Sequence, residues 1–277
     1  MLAHWTEHFV DVNGSRFHYV RTGHGEKPAL VLAHGYSDSG LCWSALAQAL
    51  EAEWDVILPD ARGHGLSQRV SAGETIDLAA DLAGVIQAIG LDRPVVGGHS
   101  MGGSTAAELG ARFPQCARAL ILEDPAWFDP QQQASGPAAE KAEQLVDPYE
   151  NWRSQMSDFT IEGLMAQSRR DNPTWREEEL QNWAESKLQL DPEFVRGSHR
   201  LVLWGTWQKA AQAITQPTLL ITADPAKGSI VTANTAQMVM EWSPCIEVAH
   251  IAGVGHCIRR EAPEAYLAAL RAFLGKL

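Results

Sequence analysis

Positive charge is scarce in this chain: 22 lysines and arginines stand against 34 aspartates and glutamates, for a formal net charge of −12. Such a surface repels a phosphate backbone and an anionic lipid face alike, which argues against nucleic acid and membranes as partners. Cysteine is scarce too. Only Cys42, Cys116, Cys245 and Cys257 occur, with no Cys-x-x-Cys pair and no zinc-like spacing, so we expect free thiols, a reducing compartment and no metal. The chain has no apolar run long enough to span a bilayer. It opens without a basic run followed by an apolar stretch, so no signal peptide is expected. Repeats and low-complexity tracts are missing as well. These absences lead us to expect a cytoplasmic globular protein. Its 277 residues suffice for one large domain or for a core with an insertion.

What is present is an alternation. Glu7–Val12 and Arg16–Arg21 flank Asn13-Gly14, a strong hairpin turn;. Ala29–Ala33 is a continuous apolar run, as a buried parallel strand should be;. Trp43–Ala52 reads as a helix and Asp55–Pro59 as a strand. Leu78, Leu82, Val85, Ile86 and Ile89 recur at helical spacing, which predicts a helix over 76–90;. Pro94–Gly98 is a strand, 101–113 a helix and Ala119–Leu122 a strand. This pattern predicts an α/β protein with a mostly parallel sheet and helices on both faces. From about Trp127 to Ala213 no buried-strand pattern occurs, and six of the ten tryptophans (127, 152, 175, 183, 204 and 207) lie there. We expect a helical insertion lying over the sheet. Alternation resumes at Pro217–Thr222, with a helix near 232–241, a strand at 245–251 and a last helix at 262–275.

The most informative stretch is Gly98-His99-Ser100-Met101-Gly102-Gly103, which follows the apolar strand and precedes a helix. A Gly-x-Ser-x-Gly motif in that context is a strained turn that presents a serine hydroxyl above the sheet edge. Small neighbours let strand and helix approach closely. The first helical amides then lie where an oxyanion would develop. A Gly-rich phosphate-cradling turn is the competing reading of such a motif.

Three further segments agree with it in order: His34-Gly35-Tyr36 after the third strand, Asp60-Ala61-Arg62-Gly63-His64-Gly65-Leu66-Ser67 after the fourth, and Gly253-Val254-Gly255-His256 after the last. Together they resemble the α/β-hydrolase family over nearly the whole chain. The resemblance implies an eight-stranded, mostly parallel sheet. It divides the chain into a core of residues 1–126 and 214–277 and a helical cap of residues 127–213. It also implies a serine nucleophile at Ser100, a base at His256, and an oxyanion hole from the amides of Met101 and Tyr36. His34 falls on the same loop and is expected to brace it, at the edge of the substrate pocket.

The acid departs from the family pattern. Relatives place it after strand seven in a pattern like Gly-x-x-Asp. Here that stretch reads Leu219-Leu220-Ile221-Thr222-Ala223-Asp224-Pro225-Ala226, so Ala226 stands at the acid position. Asp224 is two residues early, although the loop from Pro225 to Gly228 could re-aim it. Asp124, at the end of strand six and 24 residues after Ser100, is the other source, used by certain bacterial esterases and haloalkane dehalogenases. Parallel strands end on one crevice, so either is feasible. We favour Asp124 over Asp224, with Glu123 a remote third.

The expected function is a serine hydrolase that cleaves a small carboxylic ester, lactone or thioester through an acyl-enzyme, with no cofactor. C–C bond hydrolysis, amide hydrolysis and cofactor-free haloperoxidase chemistry use the same triad and stay open. So does a non-catalytic ligand-binding receptor on the same fold. Relatives that act as dehalogenases or epoxide hydrolases carry aspartate where this chain has Ser100. In the insertion, Trp127 is the best candidate for a pocket wall, with the other tryptophans, Phe128, Phe159 and Phe194 as further apolar candidates. Arg153, Arg169 and Arg170 suit a substrate carboxylate or, more simply, a solvated helix face.

Overall fold

The computed structural model describes residues 2–129, 147–156, 158–202 and 207–277. Eight strands form one sheet: β1 (Thr6–Val12), β2 (Ser15–Arg21), β3 (Ala29–Ala33), β4 (Asp55–Pro59), β5 (Val95–His99), β6 (Ala119–Glu123), β7 (Thr218–Thr222) and β8 (Ile246–His250). Their spatial order is β1-β2-β4-β3-β5-β6-β7-β8. β1, β2 and β4 pair antiparallel, and every later pairing is parallel. At the hairpin, Asn13 (φ 51°) and Gly14 (φ 81°) both take the left-handed conformation that a tight two-residue turn requires;.

The central strands are short apolar runs because both faces are covered. Val31, Ile57, Val96, Leu120 and Leu122 point into one cluster with α2 (Leu78–Ile89) and α3 (Met101–Arg112). Leu30, Val56, Leu58, Val95 and Ile121 point into the other, against α1 (Ser44–Leu50) and the last helix (Pro263–Leu274). The period of two along each strand thus feeds both cores.

Between β6 and β7 the described residues form helices, α4 (Pro148–Ser154), α5 (Ile161–Asp171), α6 (Glu177–Gln189), α7 (Pro192–Gly197) and α8 (Trp207–Ala213), with a short 3-10 turn at Ser198–Arg200 and a single parallel bridge from Leu201 to Ile76. Asp147, Thr160 and Asp191 accept from the first-turn amides of α4, α5 and α7, so side chains start these helices;. Phe194, Val195 and Leu201 join Val70, Ile76 and Met101 in a third apolar cluster that ties the insertion to the loop before α2 and to the start of α3. After β7 come α9 (Ala233–Trp242), β8, a single turn α10 (Ile258–Glu261) and α11 (Pro263–Leu274).

Candidate active site

The carboxyl ends of β3, β5 and β6 deliver His34, Ser100 and Asp124 to one edge of the sheet. Ser100 sits between β5 and α3 with φ 54° and ψ −116°, a strained backbone for a residue with a side chain;. Its amide donates to the Glu123 carbonyl at 2.9 Å, and its own carbonyl accepts from Ser104 at 3.0 Å. The turn tolerates only glycine at its flanks. A Cβ on Gly98 would collide with the Gly102 backbone, and one on Gly102 would collide with the Ala33 carbonyl;. Met101 opens α3, so its amide has no acceptor within the helix;.

Asp124 is fully buried and also has positive φ, 39°. Its carboxylate accepts from Ser229 Oγ (2.8 Å), the amides of Ile230 and Val231 (both 2.9 Å) and His256 Nδ1 (2.6 Å). Nδ1 of His256 therefore carries a proton, and Nε2 is the nitrogen left to accept one. Asp224 is elsewhere: it accepts from His250 Nε2 at 3.1 Å and from the Gly253 amide at 2.8 Å. Those bonds, the Gly253 amide first, hold its carboxyl below the usual carboxylate range.

Glu123 anchors the turn after His256. It accepts from the Arg259 amide at 3.0 Å and from Arg259 Nη1 at 3.1 Å. Burial pushes its carboxyl up against the pull of Arg259. His99 anchors the same loop from the other side: its Nε2 donates to the His256 carbonyl at 3.0 Å, and the two rings lie 4.5 Å apart. Burial, with His256 and Arg259 close by, holds His99 well below the usual imidazole range.

The His34-Gly35-Tyr36 loop is braced as the sequence suggests. His34 Nε2 accepts from the Ala61 amide at 3.0 Å, and Nδ1 donates to the Gly35 carbonyl at 2.8 Å. Asp60 accepts from Gly40, Leu66 and His18, locking the next loop beside it. The Tyr36 amide has no acceptor among the described residues. The Tyr36 phenol is pushed up to about 12 by burial, against a hydrogen bond with Ser198.

Ser100 and His256 line one cavity of about 340 Å³. Tyr36, Trp152, Met156 and Trp183 give it apolar walls, and Asp38, Gln155, Gln167, Lys187 and Arg260 give it polar ones. Trp127 and His34 are not among these walls. Trp127 is fully buried and stacks on Trp207 at 5.6 Å, in the core under the sheet. His34 spends one ring nitrogen on its own loop and the other on the loop after β4. Phe194 is buried against Tyr36 and His64, Phe159 packs edge-on to Trp152, and Phe128 is exposed. Trp204 lies outside the described residues. Arg169 pairs with Glu177, and Arg153 lies over Phe159. Arg153, Arg169 and Arg170 are all exposed.

The cationic lining, Lys187 and Arg260, escapes sequence reading. A signal exists for Lys187: it continues the stripe Leu180, Ala184 on α6, and all three are buried. A lysine on an apolar helical face is an anomaly with a reason. Its Nζ donates to the Ser37 carbonyl and to Asp38 Oδ1, both at 2.9 Å. Arg260 donates to Asp38 Oδ2 at 3.1 Å and to Glu179 at 3.2 Å. Burial opposes the charge on Asp38, but Arg260, Lys187 and Arg259 together hold its carboxyl well below the usual range. Among the described residues no group of three or more His, Cys, Asp or Glu side chains is placed to hold a metal ion, and no helix is long and apolar enough to cross a membrane.

Comparison with known proteins places this site in a family. The N-formylmaleamate deformylase of Pseudomonas putida is 30% identical over 274 residues, spanning 96% of this chain and 95% of the relative. Epoxide hydrolase A of Mycobacterium tuberculosis is 40% identical over 101 residues, 35% of this chain and 31% of the relative. Among solved structures, an E-2-(acetamidomethylene)succinate hydrolase superposes with a TM-score of 0.79 at 21% identity, covering 98% of this chain and all of that one. A family profile described as alpha/beta hydrolase fold matches residues 28–262. The chain is therefore a member of the alpha/beta hydrolase fold family, and a hydrolase.

Proposed function

We propose that the chain is a serine hydrolase that cleaves small carboxylic acyl compounds through an acyl-enzyme, with Ser100, His256 and Asp124 as its triad. One observation carries the reading: His256 Nδ1 lies 2.6 Å from a fully buried carboxylate, Asp124, while the same histidine shares a cavity with the strained Ser100. In this reading His256 Nε2 takes the Ser100 proton as Oγ adds to the substrate carbonyl. The amides of Met101 and Tyr36 hold the oxyanion. His256 then gives the proton to the leaving group, and a water activated by the same base releases the acid. No cofactor enters these steps. Asp124 accepts throughout and keeps the productive tautomer.

Residues 127–213 act in this proposal as a cap over the core formed by 1–126 and 214–277, supplying Trp152, Met156, Trp183 and Lys187 to the cavity. The relative at 30% identity is named an N-formylmaleamate deformylase, and the described lining is polar on one side, with Asp38, Gln155, Gln167, Lys187 and Arg260. Small acyl compounds with a polar substituent, as ester or amide, are therefore the substrates to try first. Epoxide opening fits less well, because the turn between β5 and α3 presents serine where such relatives present aspartate.

The test is covalent. Wild-type protein should take up one fluorophosphonate per chain on Ser100 and show a burst with a p-nitrophenyl ester, and Ser100→Ala should lose both. Retained turnover in Ser100→Ala would overturn the proposal. A native protein that neither labels nor turns over short esters and amides would point to the ligand-binding reading instead.

A further inference from the structure

Lys187 is a buried ammonium far in sequence from every motif, and the triad chemistry does not use it. It is 3% exposed on α6 of the insertion. Burying such a charge is costly unless partners meet it. Two of its three partners belong to a single loop of the core: the Ser37 carbonyl and Asp38 Oδ1, each at 2.9 Å. The third is Ser186 Oγ at 3.5 Å. The ammonium also lies 4.7 Å from the Trp183 ring centroid, a cation–π contact.

That loop is the one that begins with Tyr36, and it is strained. Ser37 has φ 61°, a left-handed conformation that a side chain disfavours;. Within the loop, the Asp38 amide donates to the Gly35 carbonyl at 3.1 Å, making a tight turn around Tyr36. Strain of this kind, of order 1–3 kcal/mol, persists only where surrounding groups over-determine the backbone. Lys187 is such a group, because it clamps the carbonyl of the strained residue itself. Arg260 fixes the other oxygen of Asp38 from the turn after His256. One carboxylate thus joins the insertion, the Tyr36 loop and the His256 loop.

We infer that Lys187 is a positioning residue: by holding Ser37 and Asp38 it sets the Tyr36 amide in place, so that docking of the helical insertion and assembly of the oxyanion hole are one event. The inference rests on the serine-hydrolase reading above and adds to it an origin for the oxyanion geometry. The insertion would then do more than wall the pocket, since without α6 docked the core lacks the clamp on one donor.

The experiment uses the full chain, p-nitrophenyl acetate and phenylboronic acid, which adds to the serine as a tetrahedral mimic. A displaced donor loses part of the roughly 10²–10³-fold attached to an oxyanion contact. Lys187→Met should therefore lower kcat by about 10–100-fold with KM within about threefold of wild type. Boronate affinity should fall by a similar factor. Lys187→Arg, which keeps the charge and donors but is larger and planar, should recover part of both. If Lys187→Met does not fold, Lys187→Gln and Lys187→Arg are compared at matched circular dichroism. Unchanged kcat in a folded charge-free variant overturns the inference. So does a raised KM at unchanged kcat, which would make Lys187 a substrate-binding group. Ser100→Ala serves as the control: if it keeps wild-type turnover, the catalytic reading has failed and the inference falls with it, whereas an inactive Ser100→Ala beside an unaffected Lys187→Met overturns the inference alone.

Discussion

Two aspartates competed for one role, and the arrangement of donors separates them. Asp124 gathers Ser229, Ile230, Val231 and His256 around a buried carboxylate, whereas Asp224 spends its oxygens on His250 and Gly253 at the surface. An amide at 124 could keep most of these contacts yet would present no full negative charge to the imidazolium. Asp124→Asn should lower kcat by about 10²–10⁴-fold, and Asp224→Asn should stay within about threefold of wild type. Steady-state rates on one ester decide it, and an equal, small loss in both would remove Asp124 from the proposed triad. Ser100 and His256 were legible because glycines crowd them in sequence. The sequence favoured Asp124 for the acid only over Asp224 as a rival, since nothing near Asp124 in sequence tells that a loop 105 residues away, at Ser229, will close over it. Trp127 misled for a related reason. Proximity to Asp124 along the chain said nothing about direction, and the side chain turned under the sheet to meet Trp207.

At the scale of elements, alternation carried nearly all of the fold. The strands over 29–33 and 55–59 have the expected bounds, and others shift by a residue or two where hydrogen bonding outlasts the apolar run, as at His99 and Glu123. The separate turn Ile258–Glu261 was hidden, because it is set by Glu123 and Glu261 rather than by a periodic apolar face. The tight β5–α3 junction allows a contrast between two glycines. Gly102 is fixed by lack of space: an added Cβ meets the Ala33 backbone. Gly253 is fixed by conformation only, with φ 86° and nothing within 4 Å of an added Cβ. Gly253→Ala should then cost about 1–2 kcal/mol, the left-handed penalty, with catalysis largely kept. Gly102→Ala must push strand and helix apart, costing about 1–3 kcal/mol, and should also abolish fluorophosphonate labelling as Ser100 moves. Urea midpoints beside labelling rates check both, and a Gly102→Ala protein that labels at the native rate would show that the elbow has slack.

For the molecule as a whole, the sequence shows an acidic surface and ten histidines, but not which of them folding leaves without a charge. His34, His64 and His99 are 2%, 0% and 3% exposed. Burial lowers all three, His64 to about 3. An unfolded histidine titrates near 6.5. Between those values the unfolded chain binds protons that the native state refuses, so stability is full above about pH 6.5 and is lost as pH falls towards 3;. Each such histidine contributes a slope of about 1.4 kcal/mol per pH unit inside its window. Asp38, depressed well below its ordinary 3.8, adds a further loss below about pH 4. The net charge of −12 acts in the opposite sense, since lowering the pH towards the pI of about 5.2 relieves self-repulsion;. A single variant separates the two effects. His64 Nδ1 donates to the Arg62 carbonyl at 3.0 Å, a bond that a shorter amide can imitate without titrating. His64→Asn leaves the acidic surface unchanged, so the difference between the two proteins isolates the histidine. Urea unfolding of both at intervals from pH 7 to pH 4 should show the variant losing stability less steeply, by about 1.4 kcal/mol per unit. Parallel slopes would mean that His64 takes up its proton in the folded protein and that the acid sensitivity originates elsewhere.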